Sequence, residues 1–537
     1  MAGKNILLVE PGYKNKYPPL GLMKIAQYHG ENGKKDNVVF IKGKDAKAFS
    51  MAWDRVYITT LFSFEWDKTA EIINFIIDAV GGDTTKVFVG GISASLMPDA
   101  YRNEPNWFGL RVITGLLNTA PALSLGLKKE LNDFYYDDSQ GKPIEDHIPD
   151  YSILSQISYK YPVHDAYFAY ASRGCIRKCS FCGVPKLEGG LYDTPSLSSI
   201  VKGIKDIYGP KKDLILMDNN VVASPRFKEI MAEIRDLGFQ KGAKLDRGKN
   251  KIKRRVDFNQ GVDARILAKD PVFLKELSSA CIDPLRIAFD HWGLKEPYEK
   301  SIRYAHEFGL HQLSNYMLYN FHDTPEDLYN RLELNIRLNE ELGIRIFSFP
   351  MRFQPTDKKE RNHIGEKWTK YQLRSFQIIL QATHGVVSGA PNFFKKAFGH
   401  HKDAFLDLLL MPQVFIFHRD WFDKQGGVSE KEEFTNEFSK LNSDEKKQLA
   451  VFLSDYYLQP PKILQLKCSN KKFYPLLRHY KKIDDVLSEQ IYKDKHKWEK
   501  LAQKNMPNLP SEKRVEDAGL EEDADSLDVL DPSLVLA

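Results

Sequence analysis

Residues 172–183 read Ser172-Arg-Gly-Cys175-Ile-Arg-Lys-Cys179-Ser-Phe-Cys182-Gly, and they follow a strand-like run at residues 167–172. Three of the five cysteines of the chain lie within these residues. Thiols this close together favour a metal centre over a disulfide framework. Three thiolates can hold an iron-sulfur cluster and leave its fourth iron open to a ligand. Structural zinc is the alternative, but it usually needs paired cysteines or local histidines, and the nearest histidine is His164.

Strand and helix patterns alternate from residue 166 onward. Three of the predicted helices open with a capping residue and a proline, at Ser224-Pro225, Asp270-Pro271 and Thr324-Pro325. A succession of βα units predicts a partial (β/α)6 barrel of the TIM type, with functional groups at the carboxyl ends of the strands. The six strands are predicted at residues 167–172, 214–217, 256–259, 285–289, 316–320 and 344–349.

The 537 residues are enough for two or three domains, and we expect an α/β protein. Residues 1–120 alternate strands and helices in the rhythm of a Rossmann-like doubly wound sheet. The strands there are predicted at residues 5–10, 38–42, 56–62, 86–89 and 110–113. We further expect a linker at 121–165, the barrel at 166–355, a helical C-terminal region at 356–504 and a disordered acidic tail at 505–537.

The composition, with 42% hydrophobic and 28% charged residues, is typical of a soluble globular protein. No apolar run approaches the roughly 20 residues of a membrane helix, so we expect no membrane partner. The first residues, MAGKNILLVEPG, lack the features of a secretory signal, and we therefore expect a cytoplasmic protein.

A basic loop lies between the second and third predicted barrel strands. Such a loop could clamp a phosphate backbone, but it is more often a solvated hairpin and has no interleaved aromatic residues to stack bases. Nucleic acid is therefore an alternative partner that we do not favour. The loop contains Lys241, Lys244, Arg247, Lys249, Lys251, Lys253, Arg254 and Arg255.

The Cys-x3-Cys-x2-Cys spacing, with Phe181 immediately before the last cysteine, resembles the signature of the radical S-adenosylmethionine (SAM) superfamily. The resemblance implies that Cys175, Cys179 and Cys182 bind a [4Fe-4S] cluster whose open iron chelates the amino and carboxylate groups of SAM. An electron from the reduced cluster would cleave SAM to methionine and a 5'-deoxyadenosyl radical, which takes hydrogen from a substrate. It also implies an electron donor such as flavodoxin or ferredoxin. The substrate itself is not identified by any motif.

The resemblance further implies that residues at later strand ends hold SAM. Asp218 occupies the place where the family often has a Gly-Gly-Glu-like segment, whose Gly-rich form is absent here, and it is our first choice for the SAM amino group. Arg265 suits the SAM carboxylate, and Gln260 or Asp263 suits the ribose hydroxyls. Asp290 follows the fourth strand, where related enzymes often carry Glu. The alternatives are an ordinary turn at Asp218 and a surface pair of Asp263 and Arg265 that caps the next helix.

Residues 5–116 resemble the Rossmann-like cobalamin-binding domain that precedes the barrel in one branch of the superfamily. The similarity rests on Pro18-Pro19-Leu20-Gly21-Leu22, Thr59-Thr60-Leu61 and Gly90-Gly91. The Asp-x-His-x-x-Gly ligand motif is missing, because the loop after the first strand reads Glu10-Pro11-Gly12-Tyr13-Lys14. Cobalamin could bind without a protein ligand to cobalt, or the domain could serve only as a scaffold.

Three functions follow from these patterns. The first is a radical SAM enzyme that modifies an unactivated carbon, by methyl transfer if cobalamin binds. The second is a cobalamin-independent radical SAM enzyme that acts on RNA or another anionic polymer. The third is a non-catalytic iron-sulfur or zinc scaffold protein.

Overall fold

The computed structural model describes residues 3–118, 136–137, 139–383, 385, 387–419, 422, 430–456 and 470–480. The acidic tail expected at 505–537, and part of the expected linker, lie outside these residues. Over the described ranges the protein is mixed α/β, with parallel sheets and many helices. None of the helices described is both long enough and apolar enough to cross a membrane.

A five-stranded parallel sheet forms the first part of the chain, in the order β2-β1-β3-β4-β5. Its two long helices cover opposite faces. Ile6 and Leu8 share a core with the helix Leu20–His29, whereas Leu7 and Val9 pack with the helix Trp66–Ala79. This alternation along one buried strand is the pattern of a doubly wound sheet. The strands are β1 Asn5–Glu10, β2 Asn37–Lys42, β3 Arg55–Thr60, β4 Val87–Gly91 and β5 Arg111–Val112.

Six further parallel strands, here called the six-strand array, follow in chain order as two three-stranded sheets. Isolated parallel bridges, Val256 with Ile282 and Val262 with Ile287, connect the two sheets. This sequential parallel order is the order that a partial barrel requires, and it brings all six carboxyl ends to one edge. The strands are β6 Ala166–Ala169, β7 Asp213–Leu216, β8 Arg255–Phe258, β9 Leu285–Arg286, β10 Gln312–Tyr319 and β11 Arg345–Arg352.

All six strands of the array lie where the sequence predicts them, and two of the three predicted helix starts are also present. The Thr324 side chain accepts the N–H of Asp327 at the start of the helix Pro325–Leu342, and Asp270 accepts the N–H of Val272. Ser224 does not cap a helix directly, because its helix begins only at Phe227. The other helices of this part are Leu197–Tyr208, Phe227–Ile234, Ala264–Lys269, Val272–Leu277 and Lys295–Glu307.

The remaining described residues are mostly helical. Residues 430–456 form two helices, because Asn442 and Glu445 form reciprocal hydrogen bonds between side chain and backbone that begin a new helix at Ser443. Phe376, Phe394 and Phe405 join the same apolar core as the six-strand array and β1. The helices are Lys370–Ala382, Pro391–Phe398, Lys402–Leu410, Gln413–Phe417, Glu430–Phe438, Ser443–Tyr456 and Tyr474–Leu477.

Candidate active site

The loop that carries the three cysteines, here called the Cys loop, spans residues 174–190 after the end of β6. Gly174 has a φ of +72°, and a Cβ at this position would lie 2.2 Å from the carbonyl oxygen of Gly190. Only glycine fits this close approach of two backbone segments. The N–H of Cys175 donates to the carbonyl of Gly189 at 3.4 Å, so the loop closes on itself and holds its thiols together.

Cys175, Cys179 and Cys182 are half-buried and unpaired. Backbone N–H groups donate to two of the sulfurs, from Arg177 to Cys175 at 3.3 Å and from Val184 to Cys182 at 3.5 Å. Such donors stabilise anionic sulfur and tune an iron-sulfur cluster. This donor set fits a cluster that is bound by three thiolates.

Burial raises the pKa of the Cys179 thiol and raises the pKa of Cys182 to about 11. The thiols of Cys179 and Cys182 are therefore protonated at neutral pH unless the charge of a metal compensates them. Metal ligation would release these protons. Within the described residues, no three His, Cys, Asp or Glu side chains are grouped so that they could hold a single metal ion. In a cubane cluster each cysteine ligates a different iron.

The carboxylate of Asp218 lies beneath the start of the Cys loop and is only 2% exposed. It accepts the N–H of Ala171 at 3.0 Å and the hydroxyl of Ser172 at 2.7 Å, and the N–H of Ser172 also donates to it. Burial raises the pKa of Asp218 to about 6, although these hydrogen bonds oppose the rise. Its oxygens thus support the chain that leads into the loop.

Asn220, two residues further on, contacts Cys175 directly. Its amide nitrogen is 3.8 Å from the sulfur of Cys175, and its buried Oδ1 has no hydrogen-bond partner in the described part of the chain. The sequence pattern indicated Asp218 at this strand end but not Asn220. Its position at a strand end, beside a possible SAM site, was the only available signal.

Asp263 and Arg265 form the pair that the alternative interpretation described. Asp263 caps the helix Ala264–Lys269 and accepts from Nε of Arg265 at 2.8 Å. Arg177 of the Cys loop also donates to Asp263, at 2.7 Å. Burial alone would raise the pKa of Asp263, but the bonds from Arg265 and Arg177 hold it below its usual value. The carboxylate therefore ties the Cys loop to the end of β8, where Gln260 also lies half-buried.

Asp290 follows the fourth strand of the array, and its charge acts on the thiols. Its negative charge raises the pKa of both Cys179 and Cys182, and the positive charge of Arg265 lowers that of Cys179. Burial raises the pKa of Asp290 itself to about 6, against the opposing charges of Arg331 and Arg265. The fold thus brings Asp290 and Arg265 to the cysteines, whereas Asp218 lies below the loop.

Arg331, which sequence reasoning missed, is fully buried behind Asp290. Its guanidinium donates to the carbonyls of Phe289 at 3.0 Å, Asp290 at 3.2 Å and Leu318 at 2.8 Å. It also pairs with Asp323 and Asp327. These contacts fix the carboxyl ends of β9 and β10. The only signal in the sequence is an Arg four residues after Asp327 on a helix.

The N-terminal sheet and the six-strand array meet near the Cys loop. The Tyr17 hydroxyl, in the loop after β1, donates to Oδ1 of Asn259 at 2.7 Å. Lys186 donates to the carbonyl of Leu96, and a Cβ on Gly183 would lie 3.0 Å from the Leu96 side chain. The N-terminal sheet therefore packs directly on the segment that holds the thiols.

Two of the residues that resemble a cobalamin domain, Thr60 and Gly91, pack against each other. A Cβ on Gly91 would lie 2.4 Å from the carbonyl oxygen of Thr60, so this glycine is required by the packing of β4 on β3. Glu10 binds Lys42 at 2.8 Å and Asn15 at 2.7 Å.

The basic loop is a hairpin of strands Lys244–Arg247 and Asn250–Lys253 at the amino edge of the array, opposite the Cys loop. Half of its cations bind protein groups: Arg247 pairs with Asp165, Lys253 with Asp283 and Arg255 with Asp213, and Arg254 donates to backbone carbonyls. The others surround an open cavity of about 420 Å³ or lie beside it. They are Lys241, Lys244, Lys249 and Lys251, all exposed.

No family model matches the chain. It is 29% identical over 150 residues to the ribosomal protein uS12 methylthiotransferase RimO of Christiangramia forsetii. The matched region covers 27% of this chain and 28% of that protein. It is 25% identical over 196 residues to the RimO of Chlorobium phaeobacteroides. The matched region covers 35% of this chain and 40% of that protein. The chain thus spans about a quarter to two fifths of the length of these curated relatives.

Among solved structures, the chain is similar to the radical SAM methyltransferase TsrM of Kitasatospora setae, bound to tryptophan and a SAM analogue. The identity is 16% and the TM-score 0.45, and the match covers 66% of this chain and 75% of that chain. The three-cysteine loop resembles the radical SAM signature, and the two curated relatives are methylthiotransferases.

Proposed function

We propose that the protein reductively cleaves SAM at a [4Fe-4S] cluster bound by Cys175, Cys179 and Cys182, and uses the resulting radical to modify a substrate. The observation that carries the proposal is the closed loop of three half-buried thiols at the carboxyl edge of the six-strand array. When bound, the cluster supplies an electron and an open iron site. In this proposal the array is the partial TIM-type barrel, and the domain boundaries remain as predicted from the sequence.

We assign SAM contacts to groups that face the cysteines and have capacity for a ligand. The unpartnered Oδ1 of Asn220 suits the SAM ammonium, and the half-exposed guanidinium of Arg265 suits the SAM carboxylate. Asp290 would accept from the ammonium or from a ribose hydroxyl. Asp263 and Asp218 instead position the Cys loop, because the first is bound by two arginines and the second by backbone N–H groups.

The assignment of the SAM ammonium to Asn220 can be tested by binding. Asn220→Leu should weaken SAM binding, because it removes the buried Oδ1 that is assigned to the ammonium. Asn250→Leu is the control, since Asn250 is exposed in the basic hairpin at the opposite edge of the array. Equal SAM affinity for wild type and Asn220→Leu would contradict the assignment.

The proposed reaction needs a one-electron donor, for which a reduced flavodoxin or ferredoxin is suitable, and a substrate of unknown class. Methyl transfer that depends on cobalamin stays a prediction from resemblance. It is tested by corrinoid absorbance in protein purified from cobalamin-fed cells. A protein without corrinoid absorbance that still cleaves SAM would establish the cobalamin-independent alternative.

Anaerobic reconstitution tests the proposed function. We expect about four iron and four sulfide per chain, and release of 5'-deoxyadenosine that requires both SAM and a reductant. Cys179→Ala should lose both. Cys281→Ala is the matched control, since Cys281 is a buried thiol outside the loop, and it should retain both. Stoichiometric zinc without SAM cleavage would overturn the proposal in favour of a scaffold protein.

A further inference from the structure

We propose that Lys24, Glu145, Arg173 and Glu188 form a buried chain of alternating charges through which the N-terminal sheet positions the Cys loop. The inference rests on the proposed function, because it assigns a role toward the cluster. The four residues are positioning residues, since none of them touches a cysteine sulfur in the structure. They are called the charge chain below.

The charge chain is continuous over four side chains. Lys24 lies 2.6 Å from Oε1 of Glu145, and Arg173 lies 3.5 Å from the same oxygen through Nη2. Nη1 of Arg173 then lies 3.2 Å from Oε1 of Glu188. The exposed fraction of each side chain is 9% or less. The ring of Tyr170 lies against Arg173, with the guanidinium carbon 3.7 Å from its centroid.

Two cations and two anions alternate, so the buried chain carries no net charge. Burial alone would raise the pKa of Glu145, but Lys24 and Arg173 hold it below its usual value, and this carboxylate is ionised at neutral pH. Removal of any one member leaves a neighbouring charge uncompensated in a buried place, which is strongly unfavourable. The chain therefore responds as a unit to a change at either end.

One end of the charge chain is fixed to the cluster-binding region. Oε2 of Glu188 accepts the N–H of Gly174 at 2.7 Å and the side-chain amide of Asn219 at 2.8 Å. These two residues directly precede Cys175 and Asn220. Glu188 thus sets the relative position of Cys175 and Asn220, whose sulfur and amide nitrogen lie 3.8 Å apart.

The other end belongs to the N-terminal sheet. Lys24 is on the helix Leu20–His29, which packs on β1 through Leu22, Met23 and Ala26. Glu145 comes from the segment between the sheet and the array. A displacement of this helix is therefore passed to Cys175 through paired charges. The consequence is that the N-terminal sheet influences the reduction potential of the cluster without a ligand of its own.

Lys24→Met tests the inference, with Lys42→Met as the matched control. Lys42, on β2 of the N-terminal sheet, is an equally buried lysine and lies 2.8 Å from Glu10, but its ion pair does not lead to the Cys loop. In reconstituted protein we expect Lys24→Met to change the EPR spectrum of the reduced cluster and to shift its midpoint potential to more negative values. The shift follows because a positive charge that favours reduction is lost. Lys42→Met should leave both unchanged, and Lys24→Arg should restore them.

Hydrogen exchange in the protein without a cluster separates this inference from the proposed function. The amide of Gly174 should exchange about tenfold faster or more in Lys24→Met, because Glu188 loses its fixed position, and it should be unchanged in Lys42→Met. If Gly174 exchanges faster in Lys24→Met but the wild type binds no cluster on reconstitution, the role of the charge chain stands and the proposed function is refuted. Unchanged exchange and unchanged spectra in Lys24→Met, or equal changes in both variants, would overturn the inference.

Discussion

Asp218→Asn should loosen the entry to the Cys loop while the rest of the six-strand array stays folded. In the wild type one carboxylate accepts the N–H groups of Ala171 and Ser172 and the Ser172 hydroxyl. An asparagine keeps one acceptor oxygen but turns an NH2 group toward a second donor. A buried N–H without an acceptor costs about 1–3 kcal/mol, and the remaining bonds lose their charge assistance. The substitution also removes a charge whose burial is unfavourable, and this offsets part of the cost, so we expect a net local destabilisation of about 1 kcal/mol.

Native-state hydrogen exchange measures this effect directly. Since each 1.4 kcal/mol corresponds to about tenfold, the amides of Ala171 and Ser172 should exchange roughly fivefold faster in Asp218→Asn. The measurement belongs at about pH 8, well above the pKa of about 6 of Asp218, so that the wild-type carboxylate is ionised.

Asp213→Asn is the matched control for this measurement. Asp213 is a buried carboxylate on the same strand, but it pairs with Arg255 at the opposite edge of the array. Its replacement should leave the exchange of Ala171 and Ser172 unchanged. Exchange at these two amides that is unaffected in Asp218→Asn, or equally accelerated in Asp213→Asn, would refute the reasoning.

Three further predictions concern stability and surface charge. Arg331→Met should destabilise the protein by about 4 kcal/mol, because Asp323 and Asp327 lose their buried partner. The loss should appear as a lower midpoint of urea unfolding. An unchanged midpoint would show that the carbonyls of β9 and β10 need no such support. Burial lowers the pKa of His147 to about 4, so the folded protein resists a proton that the unfolded chain takes up near pH 6.5. The free energy of unfolding of the wild type should therefore fall by about 2 kcal/mol between pH 6.5 and 4, and it should fall less in His147→Gln. Equal losses in the two proteins, measured by urea titration, would contradict this. Alanine at the four exposed hairpin lysines should leave SAM cleavage unchanged and remove any salt-sensitive retention of RNA, and a wild type without retention rules out the nucleic acid alternative. These lysines are Lys241, Lys244, Lys249 and Lys251.

The strands, and the position of the cysteines directly after the first strand of the array, could be predicted because they depend on local patterns. β-branched and aromatic runs mark buried parallel strands, and Thr324-Pro325 marks a helix start through its own side-chain chemistry. The position of Cys175 after the first strand of the array follows from spacing alone. These features need no information about residues far away in the chain.

The roles of individual polar residues depend on where side chains point, and this could not be predicted. Asp218 follows its strand as expected, yet its carboxylate turns toward the backbone of Ser172. Asp263 was expected to have a ligand role, but Arg177, 86 residues earlier in the chain, binds it. The Tyr17–Asn259 contact spans 242 residues. Pairings over such separations are set by the packing of the two sheets, which no local pattern contains.

The EPR spectrum of the reduced, reconstituted protein, recorded without and with SAM, tests the central claim most directly. Three cysteine ligands leave one iron open, so we predict a [4Fe-4S]+ signal whose g values change when SAM binds that iron. The change should persist in Asp263→Asn if this residue only positions the Cys loop. A cluster signal that saturating SAM leaves unchanged, or a preparation that holds zinc in place of iron, would contradict the assignment of Cys175, Cys179 and Cys182 to a SAM-cleaving centre.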